Sequence, residues 1–262
     1  MKKYKGYLID LDGTMYRGTE RIDAGQRLVE RLNAAGLPYI FVTNNSSRRP
    51  DQVAEKLRNM GIHALEENVM TTSMATAKYI KETYGQAAVY VIGEEGLREA
   101  VEAEGLSLSE EEADVVVMGI DRGITYEKLA KACLFVRSGA AFLSTNGDKA
   151  IPTERGMLPG NGSLTAVVQV STGRDPVFIG KPEAVIMEQA LQALGTDKKD
   201  TLMIGDNYDT DILAGIRAGL DTLMVFTGVS TKEELAEKGN QPVWKADSLD
   251  EWSIEKGEVQ ND

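Results

Sequence analysis

Short apolar runs alternate with segments of helical period along almost the whole chain, and this alternation restricts the fold more than any other feature. Tyr4 to Ile9, Leu37 to Val42, Val69 to Thr72, Thr201 to Ile204 and Leu220 to Phe226 have the length and side-chain content of buried strands. Between them lie helical segments with clear stops. Ala24 to Ala35 carries Leu28, Val29 and Leu32 at helical spacing before Gly36, and Pro50 opens a second segment that Gly61 closes. Ser73 is placed to cap a helix running to about Tyr84, Ala184 to Leu194 ends at Gly195, and Asp211 opens a helix with Ile212, Leu213 and Ile216. Met15 to Arg21, polar and containing Gly18, reads as a tight flap. Strands alternating with helices in this way predict an α/β fold, a Rossmann-like parallel sheet with helices on both faces.

A second alternation occupies the middle of the chain. Ala87 to Ile92, Val115 to Met118 and Ala140 to Ser144 read as strands, and Leu97 to Ala103 and Tyr126 to Arg137 as helices. Ser107 to Glu112 reads as a solvated acidic loop, and Thr145-Asn146-Gly147-Asp148 as a turn after a strand. Pro159-Gly160-Asn161-Gly162-Ser163 reads as a turn and helix cap, because Thr165 stands where the last glycine of a dinucleotide fingerprint belongs. Gly180-Lys181-Pro182 follows the apolar Val177 to Ile179 but lacks the Ser or Thr of a phosphate-binding P-loop. The expected organisation is therefore a discontinuous core, residues 1–79 and 178–262, with a smaller α/β cap domain, 80–177, inserted in it. The polar tail from Glu255 is expected to be mobile.

Charge and composition exclude several classes of function. The formal net charge is -12 and no basic run occurs, which disfavours nucleic acid as a partner. An acidic protein that takes an anionic substrate must build positive potential locally, which directs attention to Lys181 and to a bound cation. Cys133 is the only cysteine, so neither an intrachain disulfide nor a cysteine metal site is available, and it reads as a small core residue. His63 is the only histidine and lies far from any motif, which excludes a Ser-His-Asp triad. The charged first residues lead straight into a strand, and no apolar stretch reaches membrane-spanning length, so a cytoplasmic protein without membrane association is expected.

The first strand ends in Asp10-Leu11-Asp12-Gly13-Thr14. Residues two apart share a face of a strand, and a glycine lets the chain turn at once, so both carboxylates could address one small volume. Carboxyl ends of parallel strands border the ligand crevice of such folds. An Asp-rich turn is the plain alternative, since Asp bonds nearby backbone. Three further stretches decide between the two. Thr43-Asn44-Asn45, Lys181-Pro182 and Gly205-Asp206-Asn207 with Asp211 follow the first motif in order, each after an expected strand. The set resembles the signatures of the haloacid dehalogenase-like hydrolases, specifically the NagD and para-nitrophenylphosphatase branch, and the match spans most of the chain.

The resemblance implies a phosphatase acting on a small phosphorylated metabolite with Mg2+. Asp10 is implied as the nucleophile that forms an aspartyl-phosphate, and Asp12 as the acid that protonates the leaving oxygen and then deprotonates water. Lys181 would neutralise charge between nucleophile and phosphate, while Thr43, Asn44 and Asn45 would hold phosphoryl oxygens. Asp10, Asp206 and the backbone carbonyl of Asp12 would bind the metal, with Asn207 and Asp211 supporting those ligands without touching the ion. The cap would act as a lid that restricts the enzyme to small phosphates. A monomer or homodimer is expected. Rival readings are a phosphotransferase or mutase using the same aspartyl-phosphate, a phospho-acceptor signalling protein, and a binding protein without turnover.

Overall fold

The computed structural model describes residues 2–153 and 155–260. Contacts divide the chain into two units, one comprising the chain up to Thr43, Asp51–Met70 and the chain from Lys181 onward, the other Asn44–Pro50 and Thr71–Gly180.

The first unit is built on a six-stranded sheet in the order Trp244–Ala246, Asp221–Val225, Thr201–Gly205, Gly6–Ile9, Tyr39–Thr43, Val69–Thr71. Gly6–Ile9 lies near its middle and runs parallel to both neighbours, with Ile9 opposite Ile204 on one side and Phe41 on the other. Every residue of Gly6–Ile9, Tyr39–Thr43 and Thr201–Gly205 is buried, which explains why these strands read as unbroken apolar runs rather than as alternating ones. Helix Asp23–Ala34 turns Leu28, Val29 and Leu32 into the core, as its spacing predicts.

Two expectations for this unit need correction. As far as Gln260 the tail is not loose: Glu258–Val259 pairs antiparallel with Trp252–Ser253, and the Gln260 N–H donates to the Glu251 carbonyl at 2.8 Å, while 261–262 lie outside the described residues. The fully buried Trp252 holds this segment in place, packed against the rings of Tyr4 and Trp244, while Arg31 donates to the carbonyls of Trp252 and Leu249. Asp211 does not open a helix either. It lies in a π-helical turn, Tyr208–Ile212, which runs into the short helix Leu213–Ala218. The segment read as a flap forms a hairpin, Tyr16–Arg17 against Glu20–Arg21.

The second unit carries its own five-stranded parallel sheet in the order Val177–Phe178, Ala141–Ser144, Val115–Met118, Ala88–Ile92, Ser107–Leu108. Ser107–Leu108 is thus an edge strand where a loop was expected. The unit also begins earlier in the sequence than residue 80, because helix Thr72–Tyr84 packs on helix Glu95–Ala103 and Ser73 Oγ donates to the Ser46 carbonyl at 3.0 Å. Thr71, not Ser73, caps that first helix by accepting from the Met74 N–H. The Ala150–Thr153 and Gly156–Pro159 hairpin has no counterpart in the sequence reading. Asn161 is more than a turn residue: buried as the first residue of helix Asn161–Thr172, its amide nitrogen lies within 3.2 Å of four oxygens between Met118 and Asn146. Cys133 is partly buried against this unit's core. Among the described residues, no helix is long and apolar enough to cross a membrane.

Candidate active site

Parallel neighbours place the residues that follow them side by side, and here those residues are acids. The Asp10 N–H donates to the Ile204 carbonyl at 2.9 Å, which aligns Asp10 with the chain entering Asp206. The π-helical turn after Asn207 then swings Asp211 back, so that its Oδ2 accepts from the Asn207 N–H at 3.1 Å. One oxygen each of Asp10, Asp206 and Asp211 lies within 4.8 Å of the others. The three are 6%, 0% and 1% exposed, and Lys181 is 3% exposed. The Lys181 ammonium pairs with Asp10 Oδ1, with Asp211 Oδ1 at 2.7 Å, and donates to the Val42 carbonyl at 3.1 Å.

The rest of the enclosure is backbone and one hydroxyl. Val229 N–H donates to Asp206 Oδ2 at 2.7 Å, and Thr14 Oγ1 lies 3.3 Å from Asp10 and 3.2 Å from Asp206. Gly13 has φ +93°, and a β-carbon there would meet the Asp206 carboxylate at 2.3 Å. At Gly228 the same intrusion would be 1.8 Å, so both positions need glycine for the acids to pack at all.

Three buried carboxylates facing one ammonium leave an excess of negative charge, and the titration behaviour follows from that. Burial, then repulsion from Asp211, pushes the Asp10 carboxyl well above its usual range, against the pull of Lys181. Asp206 is pushed up to about 6 by burial and then by Asp211. Burial acts to lower Lys181, but Asp10 and Asp211 together outweigh it and hold the ammonium above its ordinary value. A closed cluster of hard oxygen donors with uncompensated negative charge fits a small divalent cation such as magnesium.

The same balance predicts how metal-free stability depends on pH. An acid whose folded value lies above its unfolded one binds its proton more tightly when folded, so stability is greatest below about 4 and falls as pH rises through about 6. The interval between 3.8 and about 6 is worth roughly 3 kcal/mol. Melting in the presence of a chelator should therefore show Asp206→Asn above the wild type at neutral pH, with the two converging near pH 4. Parallel curves over that range would remove Asp206 as the source.

The other expected site residues are placed as follows. Asp12 is exposed, unlike the buried trio, and its Oδ2 accepts from Tyr16 Oη at 3.3 Å. Thr43 is buried at the end of its strand. Asn44 and Asn45 belong to the second unit, where the Asn44 amide donates to Asp148 Oδ1 at 3.1 Å and Asn45 Oδ1 accepts from the N–H groups of Ser47 and Arg48. The Asn207 side chain caps its own turn by accepting from the Asp209 N–H. Asp211, expected to support the metal ligands, lies with Asp10 and Asp206 and pairs directly with Lys181. Sequence reasoning assigned no role to Thr14, Gly228 or Val229. Thr14 closes the first motif and could have been found there, whereas Gly228 and Val229 carry no signal beyond following a strand.

Comparison with known proteins agrees with this geometry. Residues 7–107 match the family described as haloacid dehalogenase-like hydrolase, and residues 178–252 match the related HAD-hydrolase-like family. The chain belongs to the haloacid dehalogenase-like hydrolases. Within them it falls in the NagD and para-nitrophenylphosphatase branch that its motifs indicate. The 5'-nucleotidase YutF of Bacillus subtilis is 62% identical over 96% of this chain and 98% of its own. The acid sugar phosphatase of Staphylococcus aureus is 53% identical over 96% and 97%. A structure of a thermostable p-nitrophenylphosphatase variant from Bacillus stearothermophilus is 59% identical, covers 97% of this chain and all of its own, and superposes with a TM-score of 0.90. The two matched stretches include the strand ends that carry Asp10 and Asp206.

Proposed function

We propose that this haloacid dehalogenase-like hydrolase is a phosphatase of small phosphate monoesters that works through an aspartyl-phosphate on Asp10. The buried cluster of Asp10, Asp206, Asp211 and Lys181 carries the reading, because it places a nucleophilic carboxylate beside a fixed positive charge within an oxygen-rich cradle. Asp10 attacks phosphorus as the bond to the leaving oxygen breaks, and Asp12 gives that oxygen a proton. Water then attacks phosphorus, Asp12 takes the proton back, and Asp10 is released with inorganic phosphate. Lys181, held by Asp211, offsets charge on the nucleophile and on the phosphoryl oxygens, and Thr43 offers a hydroxyl to the latter. Mg2+ held by Asp10, Asp206 and the Asp12 carbonyl would supply further positive charge around the phosphoryl group. We assign selection among monoesters to the second unit, inserted between Thr43 and Lys181, and a cytoplasmic setting goes with this reading.

The names of the relatives suggest the substrates to try. Release of phosphate from nucleoside monophosphates, sugar phosphates and p-nitrophenyl phosphate should cease on chelation and return with magnesium. Calcium should restore it poorly, because its larger and more variable oxygen shell misplaces the nucleophile. Full activity after exhaustive metal removal would overturn the metal assignment. Transfer of phosphate to an added alcohol in preference to water would favour the phosphotransferase reading.

A further inference from the structure

We propose that Tyr16, held beneath the ammonium of Lys56, is a positioning residue that aims the Asp12 carboxyl at the leaving oxygen. The inference rests on the phosphatase reading and deepens it. Asp12 differs from the other acids of the site in being exposed, while Asp10, Asp206 and Asp211 are buried. An exposed carboxylate on a turn has several rotamers open to it, yet proton transfer needs the one within hydrogen-bond reach of the reacting oxygen. The Tyr16 hydroxyl donates to Asp12 Oδ2 and so favours one such rotamer. At 3.3 Å the contact is longer than the O–H···O optimum, so it steers the carboxyl without locking it, as befits a group that must give up and recover a proton in each cycle.

Tyr16 is itself fixed from two directions. Its backbone is tied to the turn that carries Asp12, since Gly13 N–H donates to the Tyr16 carbonyl at 2.8 Å and Tyr16 N–H donates to the Leu11 carbonyl at 3.3 Å. Pairing of Tyr16–Arg17 with Glu20–Arg21 then holds it in the hairpin. The ring is 4% exposed, and Lys56 Nζ stands 3.5 Å from its centroid. A cation on the ring face is attracted to the π cloud and draws density from it, which fixes the ring plane and makes the phenol a stronger donor. Lys56, on helix Pro50–Asn59, belongs to the same unit as Tyr16, so a residue outside the four motifs is linked through one ring to the proton donor.

The test compares leaving groups in the full-length, magnesium-supplied enzyme. Nitrophenolate departs with little help, whereas an alkoxide needs the proton, so a misaimed Asp12 should harm an alkyl phosphate far more. Tyr16→Phe keeps the ring and its packing. We expect kcat to fall about 10-fold or more for glycerol phosphate and only about 2- to 3-fold for p-nitrophenyl phosphate, with KM unchanged for both. Lys56→Met should shift both in the same direction by less, and Lys56→Arg should recover the wild-type ratio. Asp12→Asn is measured alongside. If it shows the leaving-group preference while Tyr16→Phe harms both substrates equally, or changes KM alone, the inference is overturned and the phosphatase reading stands. If Asp12→Asn shows no preference, the acid role of Asp12 fails and this inference with it. Should Tyr16→Phe fold poorly, the Lys56 pair decides: an unchanged substrate ratio in Lys56→Met counts against the proposal.

Discussion

Replacement of Asp10 by Asn is expected to reduce turnover by about three orders of magnitude or more while leaving the protein folded. The amide has the shape of the carboxylate but not its nucleophilic charge, and no other carboxylate can take its place. Asp206 is pinned by the Val229 N–H and Asp211 by the Asn207 N–H, both beyond the end of Thr201–Gly205. The fold should tolerate the change because it removes one of three crowded negative charges and still leaves Lys181 paired with Asp211 at 2.7 Å. Metal-free melting should therefore rise or stay level as activity disappears, which separates a chemical defect from a structural one. Acid quenching during turnover should capture phosphate on the wild-type protein and none on the variant. Near-normal turnover in folded Asp10→Asn would remove Asp10 as the nucleophile.

Lys181→Met should be severe in two ways at once. Removing one partner from a buried ionic cluster leaves uncompensated charge, at a cost of about 3–5 kcal/mol. In this case three carboxylates lose the ammonium that pairs with two of them. The loss should be greatest at neutral pH in chelator and shrink towards pH 4, as Asp10 and Asp206 take up protons instead. Magnesium should return part of the stability, because it replaces some of the missing positive charge. It should not return the activity, expected to be down about 100- to 1,000-fold, since the lysine acts at a fixed point between Asp10 and Asp211. An unchanged melting temperature in chelator would count against a stabilising role for the Lys181 ion pairs.

Much of this site is visible in the sequence because each acid follows an apolar run, and strand ends are where parallel sheets gather ligands. Asp10, Asp206 and Lys181 fall into that class, and they meet as expected. Asp211 shows the limit of such reading. At a first helical turn it would point along the helix dipole, but the π-helical turn Tyr208–Ile212 brings its carboxylate into the cluster, and nothing in the local residue pattern announces that turn. Asn44 and Asn45 show another limit, since adjacency to Thr43 in sequence did not foretell that contacts would group them with Asp148 and Arg48. The C-terminal tail was misread because its composition is polar, whereas its order comes from backbone pairing beside one buried indole, Trp252. Short edge strands such as Ser107–Leu108 escape for a related reason: two residues are too few to show a period.

The position of Gly6–Ile9 between Tyr39–Thr43 and Thr201–Gly205 also fixes when this enzyme can come into being. A ribosome releases Tyr39–Thr43 within a few dozen residues of Gly6–Ile9, but Thr201–Gly205 only about 160 residues after that. Until then Gly6–Ile9 exposes an unpaired edge, and Asp10 waits without Asp206. The sheet of the second unit, by contrast, is complete once Phe178 has emerged, so that unit is able to fold first, during translation. Gly6–Ile9, made well before Thr201–Gly205, thus reaches its final pairing after the sheet of the second unit can have closed, and its open edge is the natural place for a chaperone to bind or for misassembly to start.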